Sequence, residues 1–355
     1  MENFEFSALW EQYHMADLQG KIENMFPEYG FHLEDMLKRI FAGDLLGALS
    51  EGLGNVMQGM ASELGSIRNV LLSLLVLGII SALLSHFTDI FENHQVADTS
   101  FYLVYLLLIA VLFRCFEEAA QTASGTIENL VTFIRVFIPT YFVAVGVAGG
   151  TVTAYAGYQM MLFLIFGVEQ ILKAVVLPLI YSYVMLAVIN GIWTEERLGI
   201  LLDFLHKCLS VILKTALGIV TGISLFQSMI TPVIDSVKSE TVQKAVSMVP
   251  GIGNIADSVV EMMVGSAVLI KNSIGIVFVI LLLALCLTPL MKIFLITGCM
   301  KAGAALMGIV SDKRITNCTN KVGEGSFLLF KTAGTAMVLF VILIAIVAYT
   351  TNRGF

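Results

Sequence analysis

"LVTFIRVFIPTYFVAVGVAGGTVTAYAGYQMMLFLIFGVEQILKAVVLPLIYSYVMLAVINGI", residues 130 to 192, carries only three charged side chains: Arg135, Glu169 and Lys173. About 20 helical residues cross a hydrocarbon core of roughly 30 Å. The stretch therefore makes either two long helices or three ordinary ones, with Gly149-Gly150 and Gly167 as the candidate breaks. Which it is sets the count of crossings and the side of the N-terminus.

The rest of the chain places this stretch in a membrane. Hydrophobic residues make up 57% of 355 positions and charged residues 13%, against roughly 25% charged in soluble domains. The mean hydropathy is +0.88, more apolar surface than a soluble core could hide. Apolar runs at 69–87, 100–116, 208–230, 273–297 and 327–350 join the opening stretch. The expectation is an all-α, polytopic integral membrane protein with seven or eight transmembrane helices.

Four regions are expected. Residues 1–67 form a polar, then amphipathic helical N-terminal region. From Leu33 to Ile67, apolar residues at steps of three and four (Leu37, Phe41, Leu45, Leu49, Leu53 among them) make one stripe. Residues 68–230 form the first membrane block and 231–272 an outward-facing connection. Residues 273–355 form the C-terminal block, with a loop at 299–326. That loop holds Lys301, Lys313, Arg314 and Lys321, and the 191–207 connection holds Arg197 and Lys207. The positive-inside rule puts both in the cytoplasm. The first twenty residues lack a charged n-region followed by an apolar stretch, so no cleavable signal is expected there.

Catalytic chemistry finds little support. The five histidines form no H-E-x-x-H, and neither G-x-S-x-G nor a phosphate-binding loop occurs. His86 and His94 lie near Asp89, Glu92 and Asp98, a set better read as an acidic loop than as a metal site. Five scattered cysteines read as packing thiols. No basic cluster suits nucleic acid, and no cofactor or metal is expected. The protein reads as a non-enzyme.

Charges at membrane depth carry more, because an uncompensated one costs about 2.5 to 3.5 kcal/mol at a helix centre. Glu169 and Lys173, four apart with the acid first, are expected to neutralise each other. Arg135 follows Glu128 by seven, so it either pairs with that acid or snorkels. Lys214 and Lys331 lie near the ends of their spans, where snorkelling is the expectation. Lys292 lies deeper, three residues after Pro289. Pro139, Pro178 and Pro289 each remove a backbone donor inside an apolar run and should kink it. Gly218 and Gly222 form a G-x-x-x-G contact surface, within the chain or between chains.

One more segment stands apart. In "VPGIGNIADSVVEMMVGSAVLIKNSIGI", 249–276, Asn254 can cap a helix whose acids Asp257 and Glu261 share a face. Two acids four apart disfavour a full crossing. An interfacial or re-entrant helix is expected, with Asp257, Glu261 and nearby Lys271 facing water or protein.

The run V-P-G-I-G, Asp257, "LIKNSIGI" (269–276), "CLTPLMKIF" (286–294) and "KAGAALMGIVSDKRI" (301–315) resembles the stage III sporulation protein AE family of endospore-forming bacteria. The resemblance is densest from about 240 to 345. It implies a membrane component of the mother-cell-to-forespore channel, in the mother-cell membrane surrounding the forespore. There it would be a permease-like or scaffold subunit beside ring-forming proteins, an ATPase and a forespore-side partner, with homo-oligomers allowed. The family brings no catalytic residues to carry over. From the residues alone, a self-sufficient ion or small-solute transporter is the alternative, resting on Lys173, Lys292, Asp257 and the kinking prolines. An intramembrane hydrolase lacks a nucleophile-base pair.

Overall fold

The structure, a computed structural model, describes residues 94–147, 152–193, 197–246, 286–309 and 312–352, with residues 282–283 and short helical stretches between 19 and 83. Side chains at 134–158, 224–246 and 344–352 lie outside the described set, as does all of 247–281. Among the described residues every regular element is helical.

Helix α1 runs His94–Val147, 54 residues, or about 80 Å at 1.5 Å per residue. Its buried positions, Tyr105, Leu108, Leu112, Phe116, Ala119, Ala123, Ile127 and Leu130, keep one stripe through the acidic 117–128 segment. That continuous stripe holds the helix together where hydropathy falls. The expected span 100–116 and the first part of 130–192 are therefore one helix.

The remainder of the opening stretch is also continuous. Helix α2, Val152–Ile171, passes through a five-residue π turn, Leu172–Val176, into α3, Leu177–Asn190. Gly167 does not break it. The stretch 130–192 is thus two helices. The π turn sits immediately ahead of Pro178, and the Leu177 N–H bonds to the Leu172 carbonyl, five residues back. A proline ring would clash with the carbonyl four residues before it and has no N–H to offer. Widening the preceding turn absorbs both defects without ending the helix.

Helix α4 spans Gly199–Val246, α5 Cys286–Ile309 and α6 Lys313–Asn352. Residues 299–309 and 313–326, expected as parts of a loop, are helical, and Asp312 just ahead of the second stretch is not. Asp312 caps α6 by accepting the Arg314 N–H at 2.8 Å.

Helix α6 is the centre. It contacts α1, α2, α3 and α4, and it meets α5 where the Ser326 hydroxyl donates to Met300 Sδ at 3.3 Å. Val322, Leu328, Leu329, Ala333, Ala336 and Leu339 are fully buried. Buried Thr319 and Thr332 are satisfied within the helix, Thr319 Oγ1 donating to the Ile315 carbonyl at 2.9 Å and Thr332 Oγ1 to the Leu328 carbonyl at 2.8 Å. Closest approach falls at Gly325, where a β-carbon would overlap Val184 Cγ2. Gly218 and Gly222 differ: nothing lies within 4 Å of a β-carbon at either. The expected G-x-x-x-G contact is not made within the described bundle.

Large apolar side chains are exposed on the outside of the described bundle. Leu106 (67% exposed), Phe163 (81%) and Ile200 (89%) point away from the core, a pattern water disfavours and lipid accepts. Upstream, Leu72, Val76, Ile79, Ile80 and Leu83 are helical and exposed at steps of three and four. Among the described residues, three helices are long and apolar enough to cross a membrane: Leu162–Asn190, Cys286–Ile309 and Lys313–Leu343. In the N-terminal region the expected single stripe is interrupted. Asp44 is non-helical, and its carboxylate caps a further helical stretch by accepting the Gly47 N–H at 2.9 Å.

Candidate functional site

Two levels of the bundle concentrate polar side chains. The deeper level joins α1 to its neighbours through ion pairs. Lys173 reaches across to Glu128 at 2.9 Å, not to Glu169 along its own helix. Glu169 is instead 1% exposed, and neither carboxylate oxygen has a hydrogen-bond partner. The expected Glu169–Lys173 pair is therefore overturned. Glu169 faces inward, while the longer lysine stem follows the surface to an acid on α1. The side chain of Arg135, expected to pair with Glu128 or to snorkel, lies outside the described set.

Lys292 pairs with Glu118 of α1 at 3.2 Å. Three residues before it, Pro289 sits within the continuous α5. Pro139 lies inside α1, likewise continuous, so neither proline ends its helix. Lys331 lies over the Phe327 ring at 4.6 Å and Lys301 over the same ring at 5.3 Å. Lys214 is exposed.

The second level lies at the end of the bundle where α1, α4 and α6 begin and α3 and α5 end. Tyr105 donates to the Val188 carbonyl at 2.6 Å. Arg314 stacks 3.5 Å over the Phe101 ring while pairing with Asp312 at 3.1 Å. Gly191 lies against Tyr105, where any β-carbon would collide with the phenol. Below this, the fully buried Tyr183 donates to Glu324 at 2.8 Å. Lys321 bridges Glu324 at 3.5 Å and Asp203 of α4 at 3.0 Å. The two basic connections assigned to one side by charge, 191–207 and 299–326, thus pack against each other. They enclose a cavity of about 220 Å³ lined by Asn190, Trp193, Asp203, Lys313, Arg314 and Lys321, among others.

Asp257, Glu261 and Lys271 lie outside the described residues, as does most of the His86–Asp98 set. Among the described residues no group of three His, Cys, Asp or Glu could hold a metal. All five cysteines are free thiols, three of them buried. Reading the sequence missed the Tyr183–Glu324–Lys321–Asp203 network. Only the i, i+3 spacing of Lys321 and Glu324 was available as a signal; the other links cross between helices.

The family model for stage III sporulation protein AE matches residues 31–351, nearly the whole bundle-forming chain. The chain belongs to the stage III sporulation protein AE family. It is 21% identical over 343 residues to the stage III sporulation protein AE of Bacillus subtilis (strain 168), covering 95% of this chain and 86% of that one. No solved structure matches it. In this member of the stage III sporulation protein AE family, the match includes α1 to α6 and the polar end of the bundle.

Proposed function

We propose that the protein is a non-enzymatic membrane subunit, permease-like or scaffold in character, of the mother-cell-to-forespore channel complex required for endospore formation. The observation that carries this is the family match across residues 31–351. The bundle supports a scaffold: its centre is filled by α6, with Leu328, Leu329 and Ala333 fully buried. The ion pairs at membrane depth are matched acid to base, as a static helix contact needs. Ring-forming subunits and an ATPase are the proposed partners, in the mother-cell membrane around the forespore. Deleting the gene should stop spore development after engulfment; normal spore yield in the deletion strain overturns the reading.

The topology is part of this proposal. Seven or eight crossings counted 100–116 and the start of 130–192 separately, but one continuous helix crosses once. With 69–87 and five further crossings from α1, α2–α3, α4, α5 and α6, we read six. Positive charge puts the cavity end in the cytoplasm. Because α1 begins at that end, residues 1–68 and the C-terminus then face outward, along with 231–272.

Glu169, buried without a partner, is the observation that favours the second reading, a self-sufficient ion or small-solute transporter. Purified protein in vesicles should then move ions unaided, and Glu169→Gln should abolish the flux.

A further inference from the structure

We propose that the cavity between α3, α4 and α6 is a binding site for the phosphate headgroup of an anionic phospholipid. Its lining sets three cations, Lys313, Arg314 and Lys321, against one acid, Asp203. Two of the cations are held in place. Arg314 is fixed by Asp312 and the Phe101 ring, and Lys321 by Asp203 and Glu324. Lys313 has no acid partner among the described residues and is exposed at the mouth. Asn190 adds a donor group: its side-chain oxygen accepts the Leu198 N–H at 2.8 Å, leaving the amino group for a ligand oxygen. A rigid guanidinium, a tethered ammonium and an uncommitted lysine make a wall suited to phosphate oxygens.

Size and surroundings decide what carries the phosphate. A cavity of about 220 Å³ is below the roughly 300 to 1,000 Å³ of clefts that bury a whole small molecule, so it holds a headgroup and not a nucleotide. Its rim continues into apolar surface. Ile200 and Phe204, on the same turns of α4 as the lining residues Gly199 and Asp203, are 89% and 62% exposed. Trp193, stacked beside Arg197 at 5.9 Å, marks the interfacial level where indoles gather. A molecule with a phosphate in the cavity and acyl chains along Ile200 and Phe204 satisfies both surfaces. Basic pockets between membrane helices take lipid headgroups in this way.

The test uses the full-length protein in detergent. It is titrated with phosphatidylglycerol, phosphatidylcholine or inorganic phosphate, read by thermal unfolding midpoint and by native mass spectrometry. Phosphatidylglycerol should raise the midpoint and stay bound where phosphatidylcholine does not. Lys313→Gln should weaken the effect about fivefold, the loss of one lysine near an anionic surface. Lys214→Gln, an exposed lysine on α4 outside the cavity lining, should leave it unchanged. A Lys313-dependent shift with inorganic phosphate alone supports the phosphate site but assigns it to soluble phosphate. Equal responses to both lipids, or equal losses in the two variants, overturn the proposal.

Discussion

Glu118 and Lys292 meet at 3.2 Å with side chains 38% and 21% exposed, a pair neither fully buried nor freely solvated. Removing one partner leaves a charge against an apolar wall. Lys292→Glu should therefore destabilise the bundle by about 1–3 kcal/mol, and adding Glu118→Lys should restore most of it. Thermal unfolding in detergent measures both, and a double variant no better than the single one would mean the two do not pair. Tyr183 offers a gentler change. Tyr183→Phe keeps the buried ring and removes the donor to Glu324, so a loss of about 1.5–3 kcal/mol is expected, the range for a hydrogen bond to a charged group. At this scale sequence spacing misled: Glu169 and Lys173 have the right separation to pair, but the bundle turns one inward and offers the other an acid on α1.

Between elements, the close contacts fall where no motif announces them. Gly325 admits no β-carbon without displacing Val184, so Gly325→Ala should cost about 1–3 kcal/mol by overpacking. Val184→Ala in the same chain should recover part of that, since it removes the obstructing methyl. The π turn before Pro178 makes a second prediction. Pro178→Ala supplies an N–H and relieves the clash, allowing Leu172–Val176 to tighten into α-helix. Tightening would rotate Lys173 away from α1, so Glu128→Cys and Lys173→Cys should be joined less readily by a bifunctional thiol cross-linker spanning the lost ion pair in the alanine background. Undiminished cross-linking would show that the bundle, not the proline, sets the π turn. The proline and the apolar run were legible in the sequence. The response of the backbone was not, because a proline can kink, break or widen a helix according to its neighbours.

For the whole molecule, the long helices tie the two basic connections to one end. Cysteines at positions 197 and 313 should react with a membrane-impermeant reagent from the cytoplasmic side. Cysteines at 50, 257 and 261 should react only from outside. Cytoplasmic labelling at 257 would refute the outward assignment of that connection, and at 50 the six-crossing count. Hydropathy divides α1 at its acidic 117–128 segment, which is why 100–116 and the start of 130–192 read as separate spans. The structure carries the helix through because Ala119, Ala123 and Ile127 stay buried while Glu118 and Glu128 find lysines on other helices.

The sequence by itself determined an all-helical membrane protein, the family resemblance and the shared side of the two basic connections. Those properties follow from local composition and period, which each segment carries alone. Only the tertiary structure decided which acid meets which lysine, that 130–192 is two helices, and that the basic connections enclose a cavity. These depend on which faces of distant segments are brought together, a choice made by packing around α6.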